Sequence, residues 1–169
     1  MDTALAARRI IDYLKIHNLM LTAAESCTAG RISALISKVP GSGPVLESAY
    51  VVYSPSAKKR LLNVSTNTMD SFGLTSEAVA REMAIGALRD SPAQIAVATT
   101  GVAGPDPMDG ISPGTVCFAW AFTGIKPLAA FTKTCHFLGD REAVMDQAAI
   151  YALTGLPEFH KRWLNGESG

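Results

Sequence analysis

The sequence predicts an α/β protein, a three-layer α/β/α sandwich around a mixed, mostly parallel sheet. Helical patterns alternate with short apolar runs along the chain, as expected when helices cover both faces of a sheet. The last two apolar runs, 115–122 and 128–134, are separated only by a short turn that contains Gly124. Strands joined so closely pair antiparallel, so the predicted sheet is mixed.

The predicted strands are short apolar runs that end in polar or glycine-containing sequence. They cover residues 20–24, 49–53, 95–99, 115–122 and 128–134. Helices are predicted over residues 1–18, from 28 to the break at Pro40, from 76 to 89 and over 140–153. Ser54 and Pro55 predict the start of a further helix, which places Lys58 near its first turn.

The composition indicates one compact domain, 1–169, with a tail of uncertain order from residue 155. Hydrophobic residues make up 48% of the chain and charged residues 18%, which is typical of a globular protein. The 15 basic and 15 acidic residues give a net charge of zero, so no basic excess indicates nucleic acid or a membrane surface as a partner. Because the N-terminus lacks the pattern of a signal peptide and no long apolar run occurs, we expect a soluble, cytoplasmic protein.

The three cysteines, Cys27, Cys117 and Cys135, are widely spaced and lack the C-x-x-C spacing of a zinc or redox site. Reduced thiols are the simplest interpretation. The sequence also lacks a histidine, cysteine and carboxylate cluster with metal-ligand spacing, so neither a metal nor another cofactor is expected.

Ser26 is a candidate nucleophile, since it follows an apolar strand and precedes the small residues that open the predicted second helix. A helix N-terminus presents unpaired N–H groups that can hold a phosphate or stabilise an oxyanion. Thr28 and Gly30 are therefore candidate substrate contacts. The alternative is that Ser26 or Thr28 only caps the helix, which is the common role of these residue types.

Lys58 is a candidate base, because burial can lower the pKa of a lysine enough to make the neutral amine accessible. Tyr53, at the end of the preceding strand, could orient that amine. Spacing alone favours an exposed helix lysine, because no serine stands three residues before Lys58 in the S-x-x-K arrangement. Cys27 is a competing nucleophile, but no histidine stands in a catalytic context, so a small buried residue is its better interpretation.

The stretch 99–105 runs from a strand into a glycine-containing loop, which fits ligand binding at the carboxyl edge of a sheet. Thr100, Gly101 and Gly104 are its candidate binding residues, although a plain strand-exit turn needs glycine as well. Arg141, at the start of the last predicted helix, is suited to gripping a phosphate with its planar guanidinium group. A surface salt bridge to a neighbouring carboxylate is the alternative.

Together these motifs resemble the C-terminal domain of the competence/damage-inducible (CinA) family, whose stand-alone members are nicotinamide mononucleotide amidohydrolases. The matching segments are Ala24-Glu25-Ser26-Cys27-Thr28 with Gly30, Pro40-Gly41-Ser42, Tyr53-Ser54 with Ala57-Lys58, Ser76-Glu77 with Val79-Ala80, Thr100 to Pro105, Gly114-Thr115-Val116 and Gly139-Asp140-Arg141. They span roughly residues 5 to 155 and follow the family's order.

The resemblance implies a five-stranded mixed sheet and a hydrolytic reaction. The amide of nicotinamide mononucleotide would be converted to the acid, giving nicotinate mononucleotide and ammonia in the salvage of pyridine nucleotides. Ser26 would take the acyl group and Lys58 would act as its base, assisted by Tyr53.

Three positions depart from the family pattern. The family usually has glycine where this chain has Ala29, and a methyl group there is tolerated unless the backbone needs a positive φ. It usually has a lysine where this chain has Ser112, and often an arginine in place of Met145. Two cations fewer near a phosphate pocket would weaken nucleotide binding.

The competing hypothesis is a non-catalytic nucleotide-binding or interaction module that keeps the fold, and a third is hydrolysis of a different amide. The expected partner is a small nucleotide substrate, with neither nucleic acid nor a membrane. A homodimer is expected only because two-fold dimers are the commonest assembly.

Overall fold

The computed structural model describes residues 3–169, and the α/β/α architecture is confirmed. The helices are α1 (Thr3–Ile16), α2 (Arg31–Ser37), α3 (Pro55–Leu62), α4 (Thr66–Phe72), α5 (Glu77–Arg89), α6 (Arg141–Thr154) and α7 (Leu156–Leu164). The strands are β1 (Leu21–Glu25), β2 (Leu46–Val51), β3 (Ile95–Gly101), β4 (Thr115–Phe122) and β5 (Ala129–His136). The first two residues of the first predicted helix lie outside the described residues.

The five strands form one mixed sheet in the order β2-β1-β3-β4-β5. Strand β1 pairs parallel with β2 and β3, whereas β4 pairs antiparallel with β3 and β5. Every strand except β4 therefore runs in the same direction, as the mixed, mostly parallel prediction requires. The carboxyl ends of β1, β2 and β3 consequently lie at one edge of the sheet.

Strand β2 is displaced from its prediction, since it begins three residues earlier than 49 and ends at Val51. It is an edge strand, and its residues alternate between half-buried and exposed. Polar Glu47 and Ser48 therefore belong to the strand, although the search for a continuous apolar run excluded them.

The sheet has a hydrophobic core on each face, and alternate residues of β4 enter the two cores. Phe118, Trp120 and Phe122 face the helices α1, α2, α6 and α7. Ala119 and Ala121 face α3 and α5, where small side chains allow close packing. The side of the sheet that carries α3 is thus tightly packed.

The expectation of a polar tail of uncertain order is wrong for residues 156–164, which form α7. Leu156, Phe159 and Trp163 recur at helical spacing and are buried against the aromatic core. No helix within residues 3–169 combines the length and the apolar composition that crossing a membrane requires. The homodimer stays a prediction.

Candidate active site

Ser26 and Lys58 meet at the carboxyl edge of the sheet. Ser26 directly follows β1, and Lys58 lies in α3, which begins shortly after β2. The Nζ atom of Lys58 lies 2.8 Å from Oγ of Ser26. The fold therefore brings together two residues that stand 32 positions apart in the sequence.

Lys58 is buried, with 1% of its surface exposed, so the interpretation as an exposed helix lysine is wrong. Besides Ser26, its amine donates to the carbonyl oxygens of Val52 at 2.9 Å and Tyr53 at 3.2 Å. Burial lowers the pKa of Lys58 to about 8, because desolvation penalises the charged ammonium. A neutral amine can keep both carbonyl contacts with its two hydrogens and accept the Ser26 hydroxyl hydrogen on its lone pair.

The start of α3 sets the position of Lys58. Ser54 is the N-cap, as predicted, and its hydroxyl accepts from the backbone N–H of Ala57 at 3.0 Å. Leu62, one turn after Lys58, is buried in the core between the sheet and α5. The cap and the buried end together hold the helix, and with it the amine, in place.

Tyr53 contacts Lys58 through its backbone carbonyl, not through its ring. Its hydroxyl instead accepts a hydrogen bond of 2.8 Å from Arg141, whose other terminal nitrogen donates to the carbonyl of Gly104 at 2.6 Å. Arg141 is the first residue of α6, and within the described residues it does not form the salt bridge to a neighbouring carboxylate that was the alternative. The chain of contacts from Ser26 through Lys58, Tyr53 and Arg141 therefore ends at the loop after β3.

Sequence reasoning missed the role of Glu25, which is completely buried beside Ser26. Its Oε2 accepts hydrogen bonds from the Thr28 hydroxyl at 2.7 Å and from the backbone N–H groups of Gly30 at 2.9 Å and Ile32 at 3.1 Å. Its Oε1 accepts from the N–H of Ser33 at 3.0 Å. A charged residue at the end of an otherwise apolar strand was the available signal.

The predicted helix start at Thr28 is wrong, because α2 begins at Arg31. Ala29 and Gly30 have φ of 48° and 93°, which a right-handed helix cannot contain. At the start of α2 the N–H groups of Ile32 and Ser33 donate to Glu25 and that of Arg31 donates to the Thr28 carbonyl, and neither Ser26 nor Thr28 caps the helix with its side chain. The helix N-terminus is thus not free to hold a phosphate or an oxyanion.

The hydroxyl groups of Thr28 and Thr100 are used inside the fold. Thr28 contacts Thr99 Oγ1 at 2.8 Å as well as Glu25, and Thr100 donates to the Leu74 carbonyl at 2.8 Å. Both threonines are buried. Each hydroxyl thus already serves an internal contact, and the binding of substrate by these two side chains stays a prediction.

The predicted glycines have separate structural reasons. A Cβ on Gly101 would lie 2.5 Å from the carbonyl oxygen of Thr115, so glycine permits the close pairing of β3 and β4. Gly104 and Gly30 adopt φ of 99° and 93°, which favour glycine. Only Gly104 is connected to the chain of side-chain contacts, through the carbonyl that Arg141 binds.

Cys27 is buried, as interpreted from the sequence, and burial raises the pKa of its thiol to about 12. A thiol with such a pKa is almost entirely protonated at neutral pH, and the thiolate is the reactive form. Cys27 therefore does not compete with Ser26 as a nucleophile. Within residues 3–169, no three histidine, cysteine or carboxylate side chains lie close enough to share a metal ion.

The departures at Met145 and Ser112 differ in their surroundings. Met145 is buried in the core under α6, so this side chain belongs to the packing and not to an exposed phosphate pocket. Ser112 is exposed, and its hydroxyl lies 3.2 Å from that of Thr115. Of these two departures, only the one at Ser112 therefore lies at a solvent-exposed position where a cation could act.

A methyl group at position 29 is tolerated without cost only if the backbone does not need a positive φ, and the φ of Ala29 is positive. The side chain of Ala29 is exposed. We expect Ala29→Gly to raise the free energy of unfolding by about 1 kcal/mol, since glycine adopts this region without the steric cost of a Cβ. Chemical denaturation measures the change. The control Ala34→Gly, at an exposed position inside α2, should instead lower stability by about 1 kcal/mol. A loss of stability in Ala29→Gly would contradict the backbone assignment.

The fold and the site together define a class, a three-layer α/β protein whose sheet edge carries a serine hydroxyl paired with a buried lysine amine. The chain belongs to the CinA C-terminal domain family, whose model matches residues 3–160.

Relatives and solved structures agree with this membership. The chain is 43% identical over 150 residues to nicotinamide-nucleotide amidohydrolase PncC of Enterobacter agglomerans, covering 88% of this chain and 90% of that protein. It is 42% identical over 141 residues, 80% of this chain, to a putative competence-damage inducible protein of Symbiobacterium thermophilum, of which it spans only 33%. The crystal structure of a CinA superfamily protein from Klebsiella pneumoniae superposes with a TM-score of 0.90 at 35% identity, covering 96% of this chain and all of the other.

Proposed function

We propose that this chain is an amidohydrolase that converts nicotinamide mononucleotide to nicotinate mononucleotide and ammonia. The observation that carries the proposal is the hydrogen bond of 2.8 Å between Ser26 Oγ and the buried Lys58 amine. The relative from Enterobacter agglomerans, of which this chain covers 90%, is named a nicotinamide-nucleotide amidohydrolase. That name supports the amide of a nicotinamide nucleotide as the substrate.

In the proposed first step, neutral Lys58 accepts the Ser26 hydroxyl proton while Oγ attacks the amide carbonyl carbon. The tetrahedral adduct collapses, the C–N bond breaks, and Lys58 returns the proton to the leaving nitrogen, which departs as ammonia. Water then attacks the acyl group on Ser26, with Lys58 taking a proton from the water and returning it to Oγ. The products are the carboxylic acid and free enzyme.

Three further residues have proposed roles around this pair. The carbonyl groups of Val52 and Tyr53 fix two amine hydrogens, which leaves the lone pair of neutral Lys58 directed at Ser26. Arg141 is exposed and sits beside the Tyr53 hydroxyl, where its guanidinium group supplies positive charge for the substrate phosphate.

The activity should rise with pH, because the base must be neutral and burial lowers the pKa of Lys58 to about 8. We expect kcat/KM to reach half its maximum near pH 8, so that about a tenth of the free enzyme is active at pH 7. Initial rates of ammonia release between pH 6 and 10 measure this profile. A rate that falls as pH rises through 8 would exclude neutral Lys58 as the base.

The substrate is tested by measuring ammonia release from nicotinamide mononucleotide, nicotinamide riboside, oxidised nicotinamide adenine dinucleotide and nicotinamide. We expect the mononucleotide to give the highest kcat/KM, because only it combines the amide with a terminal phosphate. No release from any of them, with binding retained in thermal-shift measurements, would favour the non-catalytic binding module.

A further inference from the structure

Glu25 is a buried charged group that the proposed reaction does not use. Within the described residues, its carboxylate oxygens accept hydrogen bonds from Thr28 Oγ1 and from the N–H groups of Gly30, Ile32 and Ser33. Neither Ser26 Oγ nor Lys58 Nζ is among these contacts, so Glu25 is not placed to move the proton. Glu25 nevertheless directly precedes the proposed nucleophile, Ser26, in the sequence.

We propose that Glu25 is the positioning residue of Ser26, holding the turn 26–30 in the shape that keeps Oγ at the Lys58 amine. The proposal rests on the serine–lysine reaction proposed above and assigns Glu25 a role in it. All four contacts of the carboxylate come from donors, and backbone N–H groups at the start of a helix stabilise a negative charge.

The turn needs such an anchor because its backbone is unfavourable on its own. Ala29 and Gly30 both have positive φ, and Ala29 adopts this conformation at a steric cost. The carboxylate binds residues on both sides of that point, Thr28 before it and Ile32 and Ser33 after it. The contact of Thr28 with Thr99 then joins the turn to β3.

The backbone of Glu25 connects the same turn to the lysine. Its carbonyl oxygen accepts from the N–H of Val52 at 2.9 Å, and the carbonyl of Val52 accepts from the Lys58 amine. The N–H of Ser26 donates to the carbonyl of Thr99 at 3.0 Å. These backbone contacts hold Glu25 and the amine together, so displacement of the Glu25 side chain would move Ser26 through the turn 26–30 and not through the lysine.

The test is Glu25→Gln, which keeps the side-chain shape but turns one acceptor oxygen into a donating amide that faces N–H groups. We expect kcat for ammonia release to fall about tenfold to a hundredfold with KM within about threefold, because a small misplacement of a reacting group slows the chemical step. Glu82→Gln is the matched control. The Glu82 carboxylate also accepts from one backbone N–H and one threonine hydroxyl near a helix start, those of Ser65 and Thr68, but away from Ser26.

A second readout is independent of the natural substrate, namely the rate at which a fluorophosphonate labels Ser26, followed by peptide mass. In labelling, an Oγ–P bond forms, the P–F bond breaks, fluoride leaves and Lys58 takes the hydroxyl proton. We expect Glu25→Gln to slow labelling by the same factor as kcat, and Glu82→Gln to leave both rates at the wild-type level. If the wild type is labelled but releases no ammonia, the proposed function fails while the labelling comparison still tests Glu25.

Unchanged kcat and labelling in folded Glu25→Gln, with only a lower melting temperature, would overturn the proposal and leave Glu25 a structural residue. A change confined to KM, or a wild type that is not labelled at Ser26, would overturn it as well. If Glu25→Gln does not fold, Thr28→Val decides the question, because it removes one donor to the carboxylate and leaves the backbone donors. We expect a severalfold slower labelling of Ser26 in Thr28→Val, and an unchanged rate would contradict the proposal.

Discussion

Replacing Lys58 by methionine is expected to lower kcat/KM for ammonia release about a thousandfold, because the variant removes the base that accepts the Ser26 proton. Methionine fills a similar volume and suits a buried position, so the variant should fold. Initial rates of ammonia release, together with circular dichroism, measure the effect. Lys59→Met is the matched control, since Lys59 is exposed on the same helix and should be replaceable without loss of activity.

The same variant should also change how stability depends on pH. Burial lowers the pKa of Lys58 to about 8 from its ordinary value of 10.5, so between these values the unfolded chain binds more protons than the folded one. The free energy of unfolding therefore rises with pH across this window, by on the order of 3 kcal/mol for a shift of this size. We expect Lys58→Met to lack this rise. Wild-type activity in Lys58→Met, or an unchanged pH dependence of stability, would contradict the assignment.

Gly86→Ala is expected to produce the largest loss of stability, about 3 kcal/mol, through overpacking between α5 and α3. A Cβ on Gly86 would lie 2.1 Å from the carbonyl oxygen of Leu62, which is backbone and cannot move without displacing the end of α3. The melting temperature should fall by roughly 6 to 12 °C. Because Lys58 lies on α3, the rate of ammonia release by Gly86→Ala should also be lower than that of the wild type.

Gly43→Ala is the control for Gly86→Ala. An added Cβ at Gly43 meets no atom within 4 Å, and its φ is not positive, so the melting temperature should stay within about 2 °C of the wild type. A Gly86→Ala protein as stable as the wild type would show that α3 and α5 do not pack as closely as described.

Local sequence patterns predicted much of the fold. β4 matches its prediction at both ends, and the cap at Ser54 and the start of α5 after Ser76 were both predicted. These features depend on neighbouring residues, since apolar runs and capping side chains act over a few positions. The prediction misplaced strand β2 because the burial of its residues alternates. It missed helix α7 because only one face of that helix is buried.

The site depended on long-range contacts that local patterns do not contain. Burial of Lys58 results from packing of α3 on the sheet and α5, so spacing alone indicated an exposed lysine. The pairing with Ser26 was available only from the family resemblance. The positive φ of Ala29 was invisible because alanine rarely adopts it, and the contacts of Glu25 span the turn that this conformation creates.

The most direct measurement of the central claim is ammonia release from nicotinamide mononucleotide by Ser26→Ala, compared with wild type at pH 8.5 or above, on the active side of the expected profile. Ser26 is 8% exposed and its hydroxyl contacts only Lys58 among the described side chains, so the variant should remain folded and still bind the nucleotide in a thermal-shift assay. The serine–lysine account predicts a rate lower by about a thousandfold or more. A Ser26→Ala protein that releases ammonia at a tenth of the wild-type rate or faster would contradict it.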